Sequence, residues 1–255
     1  MSDKLFGLVG YPLSHSFSKI YFEDKFRKEG LNNCKYELFE LKSIDDLPEL
    51  LKNNPNLMGL NVTSPYKTAI MKYVDFKTSQ LQNNPATNCI KIKDQKLYAY
   101  NTDTIGFEQS LIEQTDIADI HSTLILGTGG AAISCYIVLN NHNIKTTFAT
   151  RQSNSQIKET FLSKIALSSE FVNYDNLKNL EQYDLIVNAT PCSMSLPPIK
   201  EFPYEKINSN HVVFDLIYNP SETFLLYKSK TQGAKTINGL NMLRYQAEAS
   251  WEIWL

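Results

Sequence analysis

An α/β architecture of two domains is expected for this chain, each domain with a mostly parallel sheet and a cleft between the two. Three observations carry the expectation. Strand-like and helix-like segments alternate through residues 4–100, the pattern of βαβ units. A second alternating series starts at Ser122. Near its start, Gly127-Thr-Gly-Gly-Ala-Ala132 follows the apolar run Thr123–Leu126, and such a turn between a strand and a helix marks a Rossmann-type dinucleotide-binding domain.

In the first domain, Lys4–Val9, Lys35–Leu41 and Met58–Val62 read as strands. Ile20–Lys28, Ile44–Leu51 and Thr68–Tyr73 read as helices, the last opened by Ser64-Pro65. Cys89–Lys93 and Lys96–Tyr100 flank Asp94-Gln95 and read as a hairpin. A helix over Thr104–Leu111 leads out of the domain. In the second domain the strands are Ser122–Leu126, Lys145–Ala149, Leu185–Asn188 and Val212–Leu216, with a helix from Gly129 to about Asn140. Pro191–Pro203 is a loop. Met242–Trp254 is a helix whose aromatic and apolar residues need burial, and it is assigned back to the first domain. The first domain is thus residues 1–102 plus 237–255, and the dinucleotide-binding domain is 103–236.

Composition narrows the function classes. Lys and Arg total 25 against 27 acidic residues, a net charge of −2, which argues against a nucleic-acid or membrane-surface partner. No stretch approaches a membrane span and no apolar signal region follows the N-terminus, so a cytoplasmic protein is expected. Cys34, Cys89, Cys135 and Cys192 are scattered, as are the four histidines, so reduced thiols and no metal site are expected.

The glycine turn carries the most chemistry. Gly127 allows the tight turn, Gly129 lets backbone approach a pyrophosphate, and Ala132 lets helix pack on strand. Gly130 and Ala131 open the helix, whose free N–H groups and positive dipole end favour an anion. At the end of the next strand an NAD site would place Asp or Glu on the ribose. Thr150-Arg151 stands there instead, and a guanidinium suits a 2′-phosphate, so NADP is favoured.

Three further segments sit at strand ends, where open α/β sheets bind ligands. Asn61-Val-Thr-Ser-Pro-Tyr-Lys67 offers the Thr63 hydroxyl and the Lys67 ammonium. A lysine serves as acid or base when its pKa is drawn toward neutrality; otherwise it is a solvated lysine. Asn101-Thr-Asp103 offers a carboxylate that could equally cap a helix. Ser14-His-Ser16-Phe-Ser18 offers three hydroxyls for a carboxylate, or simply helix caps.

Together these segments resemble the shikimate dehydrogenase family along nearly the whole chain. Gly10-Tyr-Pro-Leu-Ser-His-Ser16-Phe-Ser18 is similar to its Gly-x-Pro…His-Ser-x-Ser segment, and Asn61–Lys67 to its Asn-Val-Thr-x-Pro-x-Lys loop. Ala86-Thr-Asn88, Asn101-Thr-Asp103, the Gly127–Ala132 turn, Asn188-Ala-Thr-Pro191, Asp215-Leu-Ile-Tyr218-Asn-Pro220 and Gly239–Gln246 follow in the family's order.

The resemblance implies reversible, NADPH-dependent reduction of 3-dehydroshikimate to shikimate, a step of chorismate and aromatic amino acid biosynthesis. It implies that Ser16 and Ser18 hold the substrate carboxylate. Thr63, Asn88, Asp103 and Gln246 would bind ring hydroxyls. Lys67, paired with Asp103, would handle the proton, and Tyr218 would lie near the carboxylate or the nicotinamide. Gly239 and Met242 would line the nicotinamide end of the NADP site. Three departures stand out: Lys19 follows Ser18 where the family has proline, Thr150-Arg151-Gln152 replaces Asn-Arg-Thr with Asn154-Ser155 where a second arginine often stands, and Ser193 replaces a glycine. An NAD-using quinate/shikimate dehydrogenase and a binding module without catalysis are the alternative readings. The expected partner is a small molecule, with the chain a monomer or homodimer.

Overall fold

In the computed structural model the described residues are 3–14, 16–81, 84–151, 169–192 and 198–255. His15, Gln152, Asn154, Ser155, Ser193 and part of the expected 191–203 loop lie outside them. The chain divides into two compact units, residues 1–102 with 247–255, and residues 103–246.

The first unit is a six-stranded sheet in the order β2-β1-β3-β5-β6-β4. Its strands are β1 (Lys4–Gly10), β2 (Cys34–Glu40), β3 (Leu57–Val62), β4 (Phe76–Lys77), β5 (Cys89–Lys93) and β6 (Lys96–Tyr100). β1 pairs in parallel with β2 and β3, and β4 with β6. The β5–β6 hairpin runs antiparallel, and β5 joins β3 antiparallel.

β1 lies between two strands and is buried on both faces, which explains its nearly unbroken apolar run. Period-two alternation sends Leu5 and Val9 to one core and Phe6 and Leu8 to the other. The first core is covered by α2 (Leu47–Asn53) and a 3₁₀ turn over Ala69–Tyr73. The second is covered by α1 (Ser18–Lys28) and by Ala247, Trp251 and Trp254 of the C-terminal helix.

Phe6 stacks on Trp254 at 5.1 Å and meets Trp251 edge-on at 5.2 Å. Gly59 makes this possible, since a Cβ there would lie 2.4 Å from the Trp254 indole. The indole N–H donates to the Ile90 carbonyl at 3.0 Å, so the buried polar edge is satisfied.

Two expected helices differ from the sequence reading. Residues 44–51 split into a 3₁₀ turn, Ile44–Asp46, and α2, because Pro48 lacks the N–H of a continuing helix and suits a first turn. Residues 68–73 form only the short 3₁₀ turn.

The second unit has the all-parallel order β12-β11-β10-β7-β8-β9. These strands are β7 (Ser122–Leu126), β8 (Lys145–Thr150), β9 (Glu170–Asn173), β10 (Leu185–Asn188), β11 (Val212–Asp215) and β12 (Lys235–Asn238). Counted within the unit this is 3-2-1-4-5-6 in reverse, the doubly wound arrangement. α3 (Asp103–Gln114) and α4 (Gly130–Asn141) cover one face. α5 (Phe224–Thr231) covers the other. The C-terminal helix α6 (Leu240–Trp254) begins in this unit and ends in the first. β4, β9, β12 and α5 were not anticipated. No described helix is long and apolar enough to cross a membrane.

Candidate active site

In the first unit the candidate residues gather at the C-terminal ends of β1 and β3. The Ser16 hydroxyl accepts from the Ser18 backbone N–H at 3.3 Å, so one serine caps the turn that presents the other. α1 begins at Ser18 without a proline after it. Lys19 instead reaches Glu37 on β2 at 2.6 Å, a contact that raises its pKa. The Thr63 N–H donates to Val9 O at 2.9 Å, and a Cβ on Gly10 would meet the Thr63 methyl at 2.4 Å. Close packing of those two strand ends therefore fixes Thr63. Lys67 is half-buried, and its carbonyl accepts from Thr87 N at 2.8 Å, which ties it to the segment carrying Asn88.

Asn88 is buried in a polar cluster. Its Nδ2 donates to Thr102 Oγ1 at 3.0 Å, and its Oδ1 accepts from Thr102 N at 2.7 Å. Its backbone carbonyl accepts from Val62 N at 2.8 Å. Tyr36 donates to Asn61 Oδ1 at 2.8 Å and is also hydrogen-bonded by Ser18. Burial pushes the Tyr36 phenol well above its ordinary value, so this donor stays protonated.

In the second unit Gly127 follows β7 with φ of +100°, a backbone conformation that favours glycine. A Cβ there would also lie 2.8 Å from the Thr190 methyl. Gly129 precedes α4 in an extended conformation, and a Cβ added to it would meet none of the described residues within 4 Å. The turn thus leaves open space beside the first N–H groups of a 12-residue helix. It sits beside β10, where the strand order reverses, the usual ligand site of this sheet type. These features fit a dinucleotide pyrophosphate.

Thr150 is buried at the end of β8, and Arg151 is exposed just beyond it, close enough for its charge to act on the Tyr174 phenol. Asp103 is the first residue of α3 and is buried, rather than a cap preceding that helix. One turn on, a Cβ at Gly106 would lie 2.5 Å from Met242 O and 3.1 Å from Gln246 Cβ. α3 therefore packs its first turns against the part of α6 that carries Met242 and Gln246. Met242 itself is buried in the core with Phe107 and Phe214.

Tyr218 lies in the loop after β11. Gly239 N donates to Ile217 O at 3.1 Å, and a Cβ on Gly239 would lie 2.0 Å from Leu216 O. This close approach holds the Tyr218 loop against the start of α6. Asn188 and Asp215 hold the same loop from below, although the sequence reading gave neither a role. Their signal was a polar residue ending an otherwise apolar strand. Tyr36 and Ser250 were missed too; Ser250 is a small hydroxyl on the apolar face shared by Ala247, Trp251 and Trp254. Among the described residues no group of three His, Cys, Asp or Glu side chains could hold a metal.

Comparison with known proteins identifies the lineage. Residues 8–90 match the shikimate dehydrogenase substrate binding domain. The chain is 38% identical over 263 residues to the shikimate dehydrogenase (NADP(+)) of Methanocaldococcus jannaschii, covering 98% of this chain and 91% of that one. The chain belongs to the shikimate dehydrogenase family.

Solved shikimate dehydrogenases share its fold. A crystal structure of one in complex with NADP+ has a TM-score of 0.88 at 35% identity, covering 98% of this chain and 89% of that one. The Thermus thermophilus enzyme, in complex with NADP(H) and shikimate, has a TM-score of 0.85 at 25% identity, covering 98% and 93%.

Proposed function

We infer that this chain is an NADP-dependent shikimate dehydrogenase that reversibly reduces 3-dehydroshikimate to shikimate. The observation that carries this is the near-full-length family match, in a chain whose β7–α4 turn fits a pyrophosphate. When bound, NADP supplies the hydride carrier. The first unit is assigned to the substrate and the second to NADP.

In this assignment the Ser16 and Ser18 hydroxyls donate to the substrate carboxylate, Ser18 turning its one proton to it from the Tyr36 oxygen. Thr63, Asn88 and Gln246 hold ring hydroxyls by hydrogen bonds, which fixes the ring's orientation. Lys67 gives a proton to the developing alkoxide during reduction and takes it back during oxidation, with Asp103 as its carboxylate partner. An ammonium beside an alkoxide stabilises the charge as it forms. On the cofactor side, the N–H groups of Gly129, Gly130 and Ala131 would hold the pyrophosphate, and Thr150 and Arg151 would hold the 2′-phosphate. Tyr218, Gly239 and Met242 would line the nicotinamide end of that site. The same reading puts the enzyme in the cytoplasm, as a monomer or homodimer acting on a small molecule.

Initial rates of nicotinamide reduction, with shikimate and quinate each crossed with NADP and NAD, test the assignment. Shikimate with NADP should be the fastest pair. A faster rate with quinate and NAD would overturn the substrate and cofactor together.

A further inference from the structure

We propose that Ser250, on the C-terminal helix, acts with Thr102 as a positioning residue for Asn88 and so sets the affinity for substrate. The inference rests on the assignment of Asn88 to the substrate ring. Ser250 is fully buried, and its hydroxyl is the junction of three partners. Asn61 Nδ2 donates to it at 2.8 Å. Thr102 Oγ1 lies 3.2 Å away. Cys89, the residue after Asn88, also hydrogen-bonds to it.

The polarity of this cluster is fixed by one backbone atom. Asn61 Nδ2 lies 3.3 Å from the Asn88 carbonyl, which can only accept. The Asn61 amide nitrogen must therefore face Asn88 and Ser250, and its oxygen must face Tyr36, whose single proton it takes at 2.8 Å. Ser250 Oγ then accepts from Asn61, so its own proton is left for Thr102 or Cys89. Thr102 in turn accepts from Asn88 Nδ2 at 3.0 Å while its N–H holds Asn88 Oδ1 at 2.7 Å. The Asn88 amide is thus gripped at both ends, and Ser250 anchors both the Thr102 hydroxyl that grips it and the Asn61 amide that holds its carbonyl. A buried network of this kind fixes one rotamer because any alternative leaves polar atoms unpaired.

The test is steady-state kinetics of Ser250→Ala and Thr102→Val, singly and together, beside Asn88→Ala. Losing one such hydrogen bond should raise the KM for shikimate about five- to tenfold, with KM for NADP and kcat little changed. The double variant should fall short of the product of the single effects, because both act through one amide. If Asn88→Ala raises the KM for shikimate while Ser250→Ala and Thr102→Val leave it alone, the positioning role is wrong and the assignment of Asn88 stands. If Asn88→Ala itself leaves that KM unchanged, the assignment fails and the inference falls with it. Equal rises in the KM values of both ligands would mark a general structural defect and also overturn it.

Discussion

Asn188 Nδ2 donates to Asp215 Oδ1 at 2.9 Å, joining the last residues of β10 and β11 beneath the loop that bears Tyr218. Asp215 also accepts from Ile217 N at 3.1 Å and from the Thr223 hydroxyl at 2.6 Å. Thr223 in turn caps α5 by accepting from Leu226 N. One buried carboxylate thus orders the whole turn from β11 to α5.

Burial raises the Asp215 carboxyl to about 6, against the lowering effect of these three hydrogen bonds. Its folded pKa lies above its unfolded one, so its favourable contribution is complete below about 3.8 and is lost as pH rises through about 6. Asp215→Asn keeps an oxygen acceptor but does not titrate. Between pH 4 and 7 the stability of the parent should fall relative to this variant by about 2 kcal/mol, the part of the full shift, at 1.36 kcal/mol per pKa unit, that lies within that range. Urea denaturation at the two pH values reads the difference; parallel pH dependences would show that Asp215 does not titrate in this range.

Gly129 and Gly239 should respond oppositely to a methyl group. At Gly129 the added Cβ meets none of the described residues within 4 Å. Gly129→Ala should keep its denaturation midpoint and raise the KM for NADP roughly tenfold, about 1.4 kcal/mol of binding. At Gly239 the Cβ would strike the Leu216 carbonyl, and Gly239→Ala should lose about 1–3 kcal/mol of stability. A Gly129→Ala enzyme with unaltered cofactor affinity would reduce the turn to an ordinary strand–helix connection.

Arg151 is exposed at the end of β8, where it can meet a phosphate without repacking the core. Charge-assisted hydrogen bonds contribute about 1.5–3 kcal/mol. Arg151→Ala should therefore raise the KM for NADPH about ten- to hundredfold, and that for NADH far less. Paired KM measurements decide it; an equal effect on the two cofactors would remove the arginine from 2′-phosphate recognition.

Much of this molecule was legible in its sequence because its local signals agree. The hairpin at Cys89–Lys93 and Lys96–Tyr100 and the strands Ser122–Leu126 and Leu185–Asn188 have the limits that their apolar runs suggested. The Gly127 turn lies between strand and helix as expected. What stayed hidden depends on tertiary context. β4 is two exposed residues that pair with β6 and has no run of its own. β12 is a short strand, Lys-Thr-Ile-Asn, made a strand by its neighbour β11. Ser250, Thr102 and Tyr36 look unremarkable singly. Only the fold brings residues from β2, β3, the end of β6 and α6 into one hydrogen-bonded cluster.

The role of Lys67 is the claim on which the chemistry turns. The most direct test compares turnover and shikimate binding in Lys67→Ala with those of the parent enzyme. The account predicts a kcat lower by about 10²- to 10⁴-fold, the scale of a lost acid–base group, with the equilibrium Kd for shikimate largely unchanged. Turnover close to that of the parent would contradict it.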